Sequence, residues 1–485
     1  MSISCIVISM SSCDHRHQPW PYKLAFVQYT DESLREVVAD LHASRDVLRK
    51  DLYEERESHL GFTYNPASLL LHPRIRLNAV SILMYDWAHI LVCDGLCDLE
   101  AGMFFKALAE NRAHISSIFE FGVYCRQFRL PIRLPTLNDV VSLLRLDANL
   151  RNKHFSSSAS EFLTLYPILR RYIKNFVMVR GELPDHCLSM IRCLDVLELC
   201  HTLKASKVSP HRLKRTIEKH LDAAYAVYGR AYARPKAHYV LHLPTQLYEH
   251  GCLLSTLVNE RRHRVVKRYT RDRCATQSSW EVGALEEIIA FQAHESQQSF
   301  FGVGMIDEHT PGKNTWRAIR DYFPDARLDE CAISSLLRTD WATCAVGDYV
   351  FYMTDDGIKL GLLEAIVRIR DQDPQCILAT FDWLCTNGEW SDWKANEGLL
   401  LIPSMDCMYS ATCLTANGEV TAFIPYFMRN WDASKKLKRF LQIRRHLKLD
   451  RNCVQIIPFC KIPPPLTPFD LVCLLVFFEL ICNSK

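Results

Sequence analysis

The side chains best able to do chemistry are concentrated between Lys236 and Arg273, in the stretch KAHYVLHLPTQLYEHGCLLSTLVNERRHRVVKRYTRDR. His238 and His242 stand four apart, so on a helix they share one face. Glu260 and His263 stand three apart and would present a carboxylate and an imidazole from a second helix. Facing helices with such spacing can hold a metal ion in a bundle core. The surrounding cations would repel that ion, and ordinary core or surface histidines are the plainer reading. The cations are Arg261, Arg262, Arg264, Lys267, Arg268, Arg271 and Arg273, offset locally only by Glu260 and Asp272. That density predicts contact with a phosphate backbone, DNA or RNA. Tyr269 is the one aromatic among them, so recognition by base stacking is not indicated.

A second cationic run carries Lys435, Lys436, Lys438 and Arg439 and extends to Arg451. It reads as another phosphate-contacting helix, a nuclear-localisation signal, a membrane-surface helix or a partner helix. Among the carboxylates, Asp86 stands beside Trp87 and His89, where a metal ligand and a hydrogen-bonded structural group compete as readings. Glu161 is explained by the capping box Ser158-x-x-Glu161. The chain has no P-loop, GxGxxG, GxSxG or HExxH pattern.

The elements that must position these groups change character along the chain. Its 485 residues allow two or three domains, and 48% hydrophobic content excludes wholesale disorder. A net charge of +3 hides a separation: between His201 and Arg273 there are 16 lysines and arginines against 5 acidic residues, and between Glu281 and Leu400 there are 9 against 21. The acidic segment could meet the basic one or a separate basic partner. Twenty cysteines without a CxxC pair predict reduced, mostly buried thiols in an intracellular protein, not a zinc finger or a secreted scaffold. The apolar run from Leu471 to Cys482 is too short for a membrane span, which needs about 20 residues, and no membrane association is expected.

Residues 1–60 read as a remnant with one strand over Tyr22 to Tyr29 and a helix from Thr30 towards Arg56. Residues 61–300 read as a helical body, with core positions at Met84, Trp87, Ile90, Leu91 and Cys97. Helices are predicted from Ser158 towards Met178, over Leu183 to Leu203 and over Pro210 to Tyr228. Pro235 would open a helix that Pro244 stops. Residues 335–430 alternate in short runs with turns at Asp355-Asp356-Gly357 and Asn417-Gly418, predicting a small β-barrel. Its aromatics, Tyr349, Phe351, Tyr352, Phe381, Trp383, Trp390 and Trp393, read as barrel core or as a cage for a methylated lysine. Residues 431–485 carry the second basic helix and the apolar tail. The fold class is α+β: a mainly helical body and a small C-terminal barrel.

Three segments in order resemble transposase-like proteins of the CACTA type, within the RNase H-like DDE group. Tyr85-Asp86-Trp87-Ala88-His89 with Gly95 is similar to that family's aspartate ahead of a Met-His pair, with Ala88 in place of the methionine. Ser156 to Tyr228 resembles the helical insertion before the last acidic residue. Pro235-Lys236-x-His238 and Glu260-Arg261-Arg262-His263 resemble the late helix that bears the final glutamate. The resemblance covers about residues 20 to 300. It implies an RNase H-like setting, Asp86 and Glu260 as catalytic carboxylates, and Mg²⁺ or Mn²⁺ for phosphoryl transfer. The early strands with the first aspartate have no counterpart in the matched segments, and two carboxylates alone hold metal poorly. The resemblance therefore implies a truncated or degenerate relative that binds nucleic acid without cutting it. The alternatives are an interaction module whose acidic barrel binds a basic protein, and a live metal-dependent nuclease or transposase.

Overall fold

The computed structural model describes residues 30–60, 63–66, 84–111, 116–134, 155–203, 208–255, 304–339, 342–354, 356–370 and 372–429, with a few isolated positions. The expected strand at 22–29 and the whole of 431–485 lie outside the described residues. Helix α1 (Asp31–Ser44) opens where Thr30 accepts a hydrogen bond from the Ser33 amide at 3.1 Å, with Asp31 and Glu32 at the positive end of the helix dipole. The single helix expected to reach Arg56 is instead two. The chain turns after Ser44 and returns as α2 (Lys50–Leu60), so that Arg56 makes a two-pronged 2.8 Å pair with Asp40 and Tyr53 packs on Leu34, Val38 and Leu41.

The helical body comprises α3 (Trp87–Leu91), α4 (Leu96–Asn111), α5 (Ser116–Cys125), α6 (Ala159–Tyr172), α7 (Pro184–Thr202), α8 (Pro210–Tyr228), α9 (Pro235–Tyr239) and α10 (Leu243–His250). Ser158 and Glu161 form the predicted capping box at the head of α6. Ser209 caps α8 with Pro210 at the first helical position, where its missing amide hydrogen costs nothing. Pro244 does not stop the chain but opens α10 in the same way, which corrects the expectation. Phe104, Phe121, Phe155, Phe162, Tyr172 and Tyr232 are fully buried. The rings of Phe105, Phe121 and Tyr172 meet at 5.0–5.1 Å between centroids. Each such side chain contributes about 1.5–3 kcal/mol through burial, so this aromatic centre fixes the helix packing. Trp87, Ile90, Leu91 and Cys97 are buried as expected, and Met84 is only partly so.

The C-terminal part is antiparallel. Its strands are β2 (Gly304–Ile306), β3 (Cys331–Ser334), β4 (Leu336–Arg338), β5 (Thr343–Ala345), β6 (Tyr349–Thr354), β7 (Gly357–Ile369), β8 (Gln375–Asn387), β9 (Trp390–Pro403), β10 (Cys407–Ser410), β11 (Cys413–Ala416) and β12 (Glu419–Phe423), with α11 (Lys313–Ile319) between β2 and β3 and α12 (Tyr426–Arg429) at the end. Nine strands form one sheet in the order β1-β11-β12-β9-β8-β7-β6-β10, with β3 beside the far half of β7; β2, β4 and β5 form a second sheet. The outermost strand β1 (Phe128–Arg129) comes from the helical segment and pairs with Leu414 and Cys413. The expected barrel is therefore an open sheet. Its outer strands β1 and β10 do not pair with each other, and part of one face is covered by the helical body: Trp390 and Phe423 are buried in the same core as Phe128 and Tyr166. A sheet whose apolar face has a helical layer against it need not close on itself. Asn417 and Gly418 both have positive φ, as the predicted two-residue hairpin requires. Tyr349, Phe351, Tyr352, Phe381, Trp390 and Trp393 are core, while Trp383 is 56% exposed; these seven do not line one open cage. Among the described residues no helix is long and apolar enough to cross a membrane.

Candidate functional site

Asp86 sits at the head of α3 and caps it. One carboxylate oxygen accepts from the Ala88 amide at 2.8 Å, and the other lies 2.5 Å from His89 Nδ1. The chain at Asp86 pairs in parallel with Leu254, and the Trp87 amide donates to the Leu254 carbonyl at 3.2 Å. One residue earlier, the backbone of Tyr85 is held at both ends by the Gln246 side chain, which accepts from its amide at 2.6 Å and donates to its carbonyl at 3.1 Å. The Tyr85 ring stacks on His242 at 4.8 Å.

His238 and His242 face one another with Nε2 atoms 3.0 Å apart. Burial, together with its neighbour His242, lowers the His238 pKa to about 4, and burial lowers that of His242. At neutral pH both rings are uncharged, so one donates and the other accepts. Lys236, at the start of α9, donates to the carbonyls of Cys93 and Asp94, both at 2.8 Å. Those carbonyls belong to the turn between α3 and α4, where Asp94 takes a positive φ and Gly95 packs so tightly that an added Cβ would lie 2.3 Å from the Leu91 carbonyl carbon.

The structure thus gathers Asp86, His238 and His242 into one neighbourhood from segments that stand far apart along the chain. The remaining predicted site residues, Glu260, Arg261, Arg262, His263, Arg264, Lys267, Arg268, Arg271, Arg273, Lys435, Lys436, Lys438 and Arg439, lie outside the described residues. Leu254, which pairs with Asp86, is six positions before Glu260 in the sequence. Within the described residues, α8 adds exposed Arg212, Lys214, Arg215 and Lys219 and has no acidic residue in its first turn. Cations at the positive end of a helix dipole are unfavourable unless an anion approaches. Arg212 is partly satisfied by the ring of Tyr426, 4.7 Å away.

Sequence reasoning passed over a second polar centre in the body. Glu100, Cys193 and His220 are fully buried, on α4, α7 and α8. Glu100 lies 2.7 Å from His220 Nε2 and accepts from the Tyr232 hydroxyl at 3.0 Å and from the Ser189 hydroxyl. Burial opposes a charged imidazole, while Cys193 and Glu100 pull the other way, and the His220 pKa is raised. Burial pushes the Cys193 thiol well above its ordinary value, so it is neutral at pH 7 and Glu100 is the anion His220 faces. Burial would raise the Glu100 pKa, but His220 and the hydroxyl donors outweigh it and the net direction is down. The readable signal was positional. Glu100 falls in the apolar stripe Cys97, Ala101, Phe104 and Leu108, and His220 in the stripe Leu213, Ile217, Leu221 and Ala224.

A third network joins body to sheet. Arg170, 3% exposed at its side chain, lies 2.9 Å from Asp195, 3.1 Å from Glu198 and 3.3 Å from Glu389. Lys174 approaches Glu389 at 2.7 Å, and Arg429 pairs with Glu198. Three cations and three carboxylates balance, with Glu389 in the β8–β9 turn as the sheet's contribution.

Comparison with known proteins finds no matching family model, no matching curated protein and no matching solved structure.

Proposed function

We propose that this chain is a transposon-derived nucleic-acid-binding protein related to the CACTA-type transposases, which grips phosphates through the segment from Arg261 to Arg273 and does not itself cut the strand. The observation that carries the reading is the parallel pairing of Asp86 with Leu254. It brings the first resembling motif next to Leu254, six positions before the last one in the sequence, which supports the reading. Lys236 on the Cys93 and Asp94 carbonyls and Tyr85 on His242 reinforce the same juxtaposition. The exposed cations of α8 extend the basic surface. Both oxygens of Asp86 are engaged by Ala88 and His89, which suits a structural carboxylate better than a metal ligand.

The test is binding of the full chain to labelled duplex and single-stranded DNA and RNA, beside a variant with alanine at Arg261, Arg262, Arg264, Lys267 and Arg268. The expected result is tight binding at low salt that weakens by about tenfold or more in the variant. Absence of binding by the wild-type chain would remove this reading and leave a protein-interaction module, with its acidic sheet as the docking face, in its place. A second reading, a metal-dependent nuclease or transposase using Mg²⁺ or Mn²⁺, is favoured by the pairing of Asp86 with Leu254, six positions before Glu260 in the sequence. Metal-dependent cleavage abolished by Asp86→Asn and by Glu260→Gln would establish it over the non-cutting reading.

A further inference from the structure

Three potential metal donors converge in the interior of the helical body, with a second thiol beside one of them. Glu100, Cys193 and His220 offer donor atoms all within 4.8 Å of one another, and all three residues are fully buried. The Cys97 thiol, three residues before Glu100 on the same face of α4, lies with its Sγ 3.6 Å from that of Cys193 and would turn in from there towards Glu100 and His220, whose 4.8 Å grouping with Cys193 does not include it. We propose that Cys97, Glu100, Cys193 and His220 form a structural zinc site that ties α4, α7 and α8 together.

The donor set has the chemistry zinc selects: two sulfurs, one imidazole nitrogen and one carboxylate oxygen. Tetrahedral zinc, with bonds of about 2.3 Å to sulfur and about 2.0 Å to nitrogen or oxygen, places two sulfurs about 3.8 Å apart. The 3.6 Å separation of Cys97 and Cys193 is close to that value without being a covalent bond. The 2.7 Å between His220 Nε2 and Glu100 would widen by about 0.5 Å on metal entry, a side-chain adjustment. Tyr232 and Ser189 already donate to Glu100 and would remain as the outer hydrogen bonds that orient it. His220 Nδ1 makes no hydrogen bond, while Nε2 is engaged by Glu100 and by the Tyr232 hydroxyl. Binding would release the protons of both thiols and the extra proton of the His220 imidazolium, leaving two thiolates and the Glu100 carboxylate around the dication with one net negative charge that the Tyr232 and Ser189 hydroxyls help to hold.

A bare Glu–His pair in this interior is a weak source of stability, since apolar side chains of equal volume commonly do as well or better. The two thiols beside that pair contribute apolar burial, which two small aliphatic side chains would supply as well. With the metal, all four groups serve one purpose. This centre uses none of the residues that the nucleic-acid reading invokes and does not depend on that reading.

The test is metal analysis of the full chain, expressed with zinc and purified without a histidine tag, followed by reconstitution with Co²⁺. The expected result is about one zinc per chain, and a thiolate-to-cobalt charge-transfer band in the near ultraviolet. Cys97→Ser should weaken that band to about half while the protein remains folded, and Cys193→Ala should remove the metal. If Cys193→Ala fails to fold, a lower melting temperature of the wild type with a zinc chelator serves the same purpose. Folded wild-type protein with no zinc and no cobalt–thiolate band would overturn the proposal and leave a hydrogen-bonded Glu–His pair. A Cys97–Cys193 disulfide in the freshly purified protein, read from intact mass before and after reduction, would overturn it as well.

Discussion

Asp86 shows what a carboxylate singled out in the sequence does for the local fold. Its sequence surroundings suggested a metal ligand or a buried polar group, and it caps α3 while pairing with His89. Asp86→Ala should cost about 0.5–2 kcal/mol, the usual price of a lost N-cap, measured by urea unfolding. Under the non-cutting reading it should leave nucleic-acid affinity unchanged. Gly95 makes a sharper demand. A Cβ there would meet the Leu91 carbonyl carbon at 2.3 Å, so Gly95→Ala should destabilise the fold by about 1–3 kcal/mol or more. Glu100 and His220 were legible singly, as polar positions in apolar stripes, but their pairing was not, because the two stand 120 positions apart and no local pattern names a distant partner. The contact of Cys97 with Cys193 is hidden in the same way, since 96 residues separate two thiols that share no motif.

At the scale of elements, local chemistry was the most readable. The capping boxes at Thr30 and Ser158, the proline-led starts of α8 and α9 and the Asn417-Gly418 turn all stand where short-range physics puts them. Strand β1 could not be read, because two residues of strand carry no periodicity and only the distant Cys413 and Leu414 define them. Closure of the sheet was misjudged because alternation reports which face is buried, not what covers it. The seam between body and sheet rests on Arg170, and Arg170→Met should destabilise by about 3–5 kcal/mol, because it leaves Asp195, Glu198 and Glu389 with less compensation in a buried setting. The same seam is sensitive to acid. Burial would raise the Glu389 pKa, but Lys174, Arg170 and Arg429 hold it below its ordinary value of 4.5. Its stabilisation is therefore present above about pH 4.5 and lost as pH falls through the lower folded value. Asp195 shifts the other way, since its burial outweighs Arg170, so its effect has the opposite sign. Thermal melts of the wild type and Glu389→Gln between about pH 5 and about pH 3 separate the two, and the variant should show the shallower decline.

Across the whole molecule, the separation of charge was visible from composition alone. The basic stretch from His201 to Arg273 includes the exposed face of α8, and the acidic stretch from Glu281 to Leu400 includes exposed Glu364, Asp382 and Glu397 on the sheet. The α+β class was legible because helical and alternating periodicities occupy different parts of the chain. The juxtaposition of Asp86 with Leu254 was not, since it is set by packing between segments far apart in the chain. The most direct test of the nucleic-acid reading is the affinity for duplex DNA across a salt series, plotted as log K against log salt concentration. The account predicts a slope of several units, about 0.9 for each phosphate contact, flattened when Arg261, Arg262, Arg264, Lys267 and Arg268 are alanine. A wild-type chain that fails to bind at low salt, or a slope the five substitutions leave unchanged, would contradict it.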